Sequence, residues 1–157
     1  MDITDHIKKI RVSKEGKILE GELPRSTDSV KKAIDDQETC KLKGYLLFKK
    51  VPGNWHISFH ATRDLLYGLP ATDLNKLKFS HTVNHLSFGQ LQEYKEIYRT
   101  FGRGDSTNFS PFNGYKMEQT SESPTHFEYY VHIIPVQYEN QRQEDMAYGY
   151  HFDMNAV

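Results

Sequence analysis

One cysteine, Cys40, is all the thiol chemistry the sequence holds. No disulfide can close within the chain, and there is no Cys-x-x-Cys pair for thiol exchange or a zinc knuckle. Stability must therefore come from packing, and a lone thiol leaves the redox compartment open. A net charge of one sign is also missing: 20 Lys and Arg stand against 21 Asp and Glu, so no global field draws nucleic acid or an anionic surface. There is no apolar run near 18 residues and no basic-then-apolar leader, so these residues are expected neither to span a membrane nor to carry a signal peptide. Nucleophile elbow, phosphate loop, dinucleotide fingerprint and framed carboxylate pair are all absent, so no enzyme class finds support and neither catalysis nor a cofactor is expected.

What the chain does have is aromatic residues. Ten Tyr and nine Phe lift the aromatic share to 13 %, a composition that favours pleated strands over a helical bundle. At 157 residues the chain fits one core, and the expectation is a single domain over 1–157. Its expected class is all-β or β-rich, with one or two short helices. Residues 5–23 alternate around Lys14-Glu15-Gly16 and read as a β-hairpin. Val30, Ala33 and Ile34 follow the N-cap candidate Asp28 at helical spacing, which predicts a helix over 28–37. Residues 40–51 read as a strand broken at Pro52-Gly53-Asn54, after which Trp55 to His60 resume the alternation. A stripe of Leu91, Tyr94, Ile97, Tyr98 and Phe101 predicts a helix over 90–101. Residues 102–114, dense in Gly, Ser, Asn and Pro, read as an exposed loop, and 126–139 with 145–154 as a closing antiparallel pair.

Among the eight His are two i, i+4 pairs, His56/His60 and His81/His85. On a strand such a pair lies about 13 Å apart, whereas zinc needs both nitrogens about 2.0–2.1 Å from one ion. WHISFH reads as a strand, and β-branched Thr82 and Val83 disfavour a helix at 81–85, so no metal site is expected. Arg103-Gly104-Asp105 reads as a solvated turn, not an adhesion motif. Cys40 has no neighbouring His or helix N-terminus to make it a nucleophile. Asn108-Phe109-Ser110 is an N-glycosylation sequon, meaningful if the domain faces a secretory lumen. Gly53 and Gly89, with Asn54, are candidate turn residues.

Three segments in order carry a family resemblance. Lys49-Lys50-Val51-Pro52-Gly53-Asn54-Trp55-His56-Ile57, preceded by Cys40 to Tyr45, resembles the N-K-V-A-G-N-F-H-I stretch of the ER-vesicle (Erv/ERGIC) proteins. Phe79-Ser80-His81-Thr82-Val83-Asn84-His85-Leu86-Ser87-Phe88-Gly89 is similar to their F-S-H-x-I-x-H-L-S-F-G element, and Phe127 to Tyr138 to their F-Q-Y-F-x-K-V-V-P-T strand. More loosely, Ser110-Pro111-Phe112-Asn113-Gly114 resembles their N-P-L-D-G turn, and 2–16 their R-L-D-x-x-G segment. Pro52, Phe112-Asn113 and the helical stretch 90–101 depart from the pattern and mark a divergent member. The Cys-x-x-Cys of one branch is absent, so that branch's redox features do not carry over.

The resemblance implies a lumenal antiparallel β-sandwich between two transmembrane helices that lie outside these residues. It also implies a protein that cycles between ER and Golgi in coated vesicles. The implied partners are protein cargo and a related family subunit, with binding favoured in the more acidic compartment. Histidine is the side chain that titrates in that range, which makes His56, His81 and His85 the candidate pH-sensing residues; the competing reading has them bonded to strand corners. Two other classes stay open. One is an accessory substrate-binding module of a thioredoxin or protein disulfide isomerase fusion. The other is a carbohydrate-binding β-sandwich using Trp55 and the Tyr-rich 129–150 region.

Overall fold

The computed structural model describes residues 6–49, 51–57, 63–102, 109–121, 125–139 and 146–157. The chain divides into two compact units, Met1–Leu77 and Lys78–Val157. Among the described residues the strands pair antiparallel, in three two-stranded sheets, and four helices accompany them where one or two were expected. No helix of the described residues is long and apolar enough to cross a membrane.

In the first unit β1 (Ile7–Val12) pairs with β2 (Thr39–Gly44), in a register running from Ile7↔Gly44 to Val12↔Thr39. This corrects the expected hairpin over 5–23. The turn itself forms, with Gly16 N donating to Ser13 O at 2.9 Å and Ser13 N to Lys17 O at 2.8 Å, but the returning arm follows β1 only briefly, through the bridge Val12↔Ile18 and Leu19 N donating to Arg11 O at 3.0 Å. Arg11 explains the outcome. Its guanidinium grips Glu38 bidentately, Nε to Oε2 at 2.9 Å and Nη2 to Oε1 at 2.6 Å, just before β2 begins. A fork-to-fork pair of this kind fixes geometry as well as energy, and it sets Arg11 opposite Cys40. Glu38→Gln is therefore expected to lower the urea midpoint of unfolding with an unchanged slope. A midpoint equal to that of the parent would mean the ladder holds without the ion pair.

Between the two strands runs α1 (Thr27–Asp35), capped two residues earlier than expected: Ser26 and Ser29 exchange the reciprocal bonds of a capping box. Two further helices, α2 (Arg63–Tyr67) and α3 (Ala71–Leu74), follow. Asp73 is 5 % exposed, and Lys76 spans from its carboxylate to that of Asp35, at 2.8 Å each. Hydrogen bonding to Lys76 lowers the Asp35 pKa, and the two carboxylates raise that of Lys76. The sign follows for each group. The Asp35 contribution is present above its ordinary 3.8 and lost as pH falls through the lowered value; the Lys76 contribution is present below 10.5 and lost as pH rises through the raised value. The Asp35–Lys76 pair is thus constant between mildly acidic and neutral pH.

The expected strand 40–51 stops at Gly44, where φ is +154° and a Cβ would sit on the His6 carbonyl oxygen, 1.9 Å away. Residues 45–49 and 51–57 are irregular, so WHISFH does not resume a strand as far as Ile57; Ser58 to His60 lie outside the described residues.

In the second unit β3 (His81–Val83) pairs with β4 (Tyr115–Met117), and β5 (Tyr129–Glu139) with β6 (Met146–Ala156) along eleven residue pairs. The latter is the closing pair expected from the sequence. α4 (Leu91–Phe101) also stands where its stripe placed it, with Gln90 and Glu93 forming its capping box. The long β5–β6 ribbon buries opposite faces at its two ends, as the strong twist of a two-stranded ribbon allows. Ala147 and Gly149 lie on one face, where Ile97 of α4 packs against Gly149. Phe152 lies on the other, beside Phe88 and Phe112. Among the described residues, helix α4 and the aromatic turns pack on the ribbon here. Of the expected exposed loop over 102–114, residues 103–108, which hold the Arg-Gly-Asp tripeptide and Asn108, lie outside the described residues. Phe109, however, is half-buried, its ring 4.9 Å from Tyr94 and 5.0 Å from His151.

Candidate functional site: the histidine corner

His81 opens β3, and both its ring nitrogens are engaged. Nδ1 lies 2.7 Å from the Phe79 carbonyl oxygen, which can only accept, so the proton sits on Nδ1. In the neutral ring Nε2 then accepts from the Tyr129 hydroxyl. Phe127 and Tyr129 meet the imidazole edge-on, with centroids 5.3 Å and 5.7 Å away. Burial pushes the Tyr129 phenol up from its ordinary value, reinforced by Tyr115. A second proton on His81 would turn the Tyr129 hydroxyl from donor to acceptor, changing the link between β3 and the start of β5. His85, beyond the end of β3, is exposed and bonds Ser87 Oγ through Nε2 at 3.1 Å. The two histidines of the pair thus have separate partners. His56 and Asn54 are exposed in the first unit.

Around His81 the backbone is tied by its neighbours. Phe79 N donates to Gln119 Oε1 at 3.0 Å, and Gln119 N to Ser80 Oγ at 2.9 Å. Gly114 N donates to Val83 O at 2.7 Å, and Leu86 N to Asn113 Oδ1 at 3.4 Å. Phe88 and Phe112 then converge on Phe152, with centroids 4.8 Å and 6.4 Å from it. Gly89 closes the corner at φ +97°, a left-handed conformation that favours glycine. Gly53 is not among the positive-φ glycines, so backbone freedom does not explain it.

Sequence reasoning missed Tyr129 and Gln119. Tyr129 sat in a quoted aromatic run, but nothing in that run says which tyrosine faces β3. The Tyr-rich region divides in the same way. Tyr130 and Tyr148 are exposed, while Tyr129 and Tyr138 pack and bond inward, Tyr138 to His151 Nε2 at 2.8 Å. A sugar-stacking platform would need those rings outside. Cys40 is exposed and free. Among the described residues no group of three or more His, Cys, Asp or Glu is placed to hold a metal ion.

Residues 79–89, 110–114 and 127–129 therefore meet in one hydrogen-bonded aromatic junction. Three stretches that separately resemble the ER-vesicle pattern form a single structural element, the mark of a domain of that class. The family described as Endoplasmic reticulum vesicle transporter matches residues 12–156, and the chain belongs to it. Among individual proteins, it is similar to ER-derived vesicles protein ERV46 of Saccharomyces cerevisiae, 30 % identical over 111 residues, which cover 65 % of this chain and 27 % of that protein. It is also similar to protein disulfide-isomerase 5-4 of Arabidopsis thaliana, 36 % identical over 84 residues (52 % of this chain, 16 % of that protein). Protein disulfide-isomerase 5-3 of the same plant is 38 % identical over 69 residues (43 % and 13 %). The matched stretch spans between 13 % and 27 % of the length of these relatives. No solved structure matches the chain.

Proposed function

We propose that these residues form the lumenal, cargo- or partner-binding domain of a membrane protein that cycles between ER and Golgi and retrieves ER residents. In this reading flanking transmembrane helices anchor the domain, its sheets belong to a β-sandwich, and a related family subunit completes a hetero-oligomer. The reading assigns the domain no catalysis and no cofactor. It is supported above all by the family match over 12–156, nearly the whole chain. The experiment is protease protection on sealed ER-derived vesicles carrying the full-length protein. This region is expected to resist digestion until detergent is added; digestion of intact vesicles would place it on the cytosolic side and end the lumenal reading.

Within that reading His81, whose ring joins β3 to Tyr129 of β5, and His85 carry the pH response. Affinity for the related subunit, measured at pH 6 and at pH 7.4, is expected to rise with acidity in the parent. It is expected to lose that dependence in the His81→Gln, His85→Gln double variant. A pH response equal to the parent's would leave the two histidines a purely structural role.

A second reading, an accessory module of a disulfide-isomerase fusion, is favoured by the names of the two Arabidopsis relatives. With Cys40 as its only cysteine, the domain would hold substrate while another module exchanges thiols. A Cys-x-x-Cys module in the complete reading frame would select this alternative.

A further inference from the structure

We propose that the face formed by β1 and β2, with the adjoining residues 45–49 and 51–57 of the first unit, docks onto an anionic lipid bilayer. The inference goes beyond the trafficking reading and does not rest on it. Charge comes first. Neither strand carries an acidic residue, and the register sets Lys8 directly opposite Lys43, with Lys41 next along the same face opposite Ile10. Like charges directly opposite destabilise a ladder, and no ion pair among the described residues engages these three lysines. Glu38, which precedes β2, is taken up by Arg11. From there to Asp64 the sequence has five Lys or Arg and no acidic residue. In a chain balanced near zero overall, this segment is locally and strongly basic.

Apolar exposure supplies the second half. Directly after β2, Tyr45, Leu47, Phe48, Val51, Trp55 and Ile57 are between 58 % and 71 % exposed. His6 stacks on Tyr45 at 4.5 Å, tying the start of this stretch to the head of β1. Lysines on an edge strand also deter strand-to-strand pairing, but that role asks for no run of large apolar side chains beside them. Lysines next to exposed Leu, Phe and Trp are the composition of interfacial membrane contacts. There the apolar chains enter the headgroup boundary, Trp sits at that depth, and lysine stems lie along it with their ammonium groups on lipid phosphates. Each lysine near an anionic surface adds to the attraction, which fades within a Debye length and so falls with salt.

Trp55 is the only tryptophan, so its fluorescence reports this surface alone. The 157-residue chain is titrated with phosphatidylcholine vesicles with and without phosphatidylserine, following Trp55 emission, acrylamide quenching and co-sedimentation. With phosphatidylserine, emission is expected to move to shorter wavelength and quenching to fall, with binding weakened by salt. Reversing three charges in Lys8→Glu, Lys41→Glu, Lys43→Glu is expected to weaken binding about a hundredfold or more, with an unchanged circular dichroism spectrum. Leu47→Ser with Val51→Ser is expected to abolish the emission shift while a salt-sensitive association persists. Three results would overturn the proposal: no emission change with either vesicle, a Trp55 already shielded from acrylamide in the free chain, or the same shift on adding a soluble polyglutamate peptide. The last would point to an acidic protein partner.

Discussion

Phe152→Ala is expected to lower the stability of the second unit by about 3–5 kcal/mol, the usual cost of emptying a filled aromatic site. Phe152 is 2 % exposed and stands between Phe88, edge-on at 4.8 Å, and Phe112, stacked at 6.4 Å. Removing the ring forfeits its transfer free energy and the contacts with both neighbours, and the two neighbours sit on turns tied down on either side. Gly114 N bonds Val83 O, and Leu86 N bonds Asn113 Oδ1, so the turns cannot close over the space without giving up those bonds. Net stability of a domain is about 5–15 kcal/mol, so the loss is a large fraction of the whole. Urea unfolding of the parent, Phe152→Leu and Phe152→Ala measures it. Leu is expected to fall between the other two, and a loss below about 1 kcal/mol for Ala would mean the ring is not enclosed as described.

Gly89→Val is expected to cost about 2–4 kcal/mol, through two separable effects. At φ +97° any β-branched residue is strained. A Cβ there would also lie 2.8 Å from Tyr150 Cδ2 and 2.9 Å from Glu93 Oε2. That carboxylate accepts from Gln90 N at 2.7 Å in the capping box of α4, so displacing it uncaps the helix as well. Gly114→Ala is the control: its φ is +81° with nothing within 4 Å of the added carbon. It should therefore show the backbone cost alone, about 1–2 kcal/mol. Helix content and the unfolding midpoint should drop together for Gly89→Val. A variant as stable as the parent would remove the steric account of this corner.

Both predictions concern the junction that the resemblance found only as separate pieces. The stretches 79–89 and 127–138 were legible because each carries its own local pattern. That His81 bonds Tyr129, 48 positions on, was not legible: the face a tyrosine presents depends on strand parity and register, and register is set by the partner. Phe109 teaches the same lesson from the opposite side. Serine, proline and glycine after it indicate the turns that 109–114 form, but composition says nothing about what folds over a single ring.

Elements whose physics is local could be read directly. The apolar spacing at 30, 33 and 34, the stripe from Leu91 to Phe101, and the alternating runs on either side of 140–145 each predict an element that the structure contains. Helical hydrogen bonds and hairpin pairing join near neighbours, so side-chain period alone carries the information. The short helices α2 and α3 carry too few turns for a period to emerge.

Taken alone, the sequence determined the absence of internal disulfides, the near balance of charge, the β-rich antiparallel character, α1, α4 and the β5–β6 pair, and the motifs that place the chain among ER vesicle transporters. Tertiary structure decided that β1 pairs along its whole length with β2 and only briefly with the arm after its turn, that the histidines of 81–85 have separate partners, and that three distant motifs share one aromatic junction. The reason is the same in each case. These outcomes depend on groups tens of residues apart, such as Arg11 with Glu38 or His81 with Tyr129, whose meeting is selected by the packing of the whole unit and leaves no periodic trace along the chain.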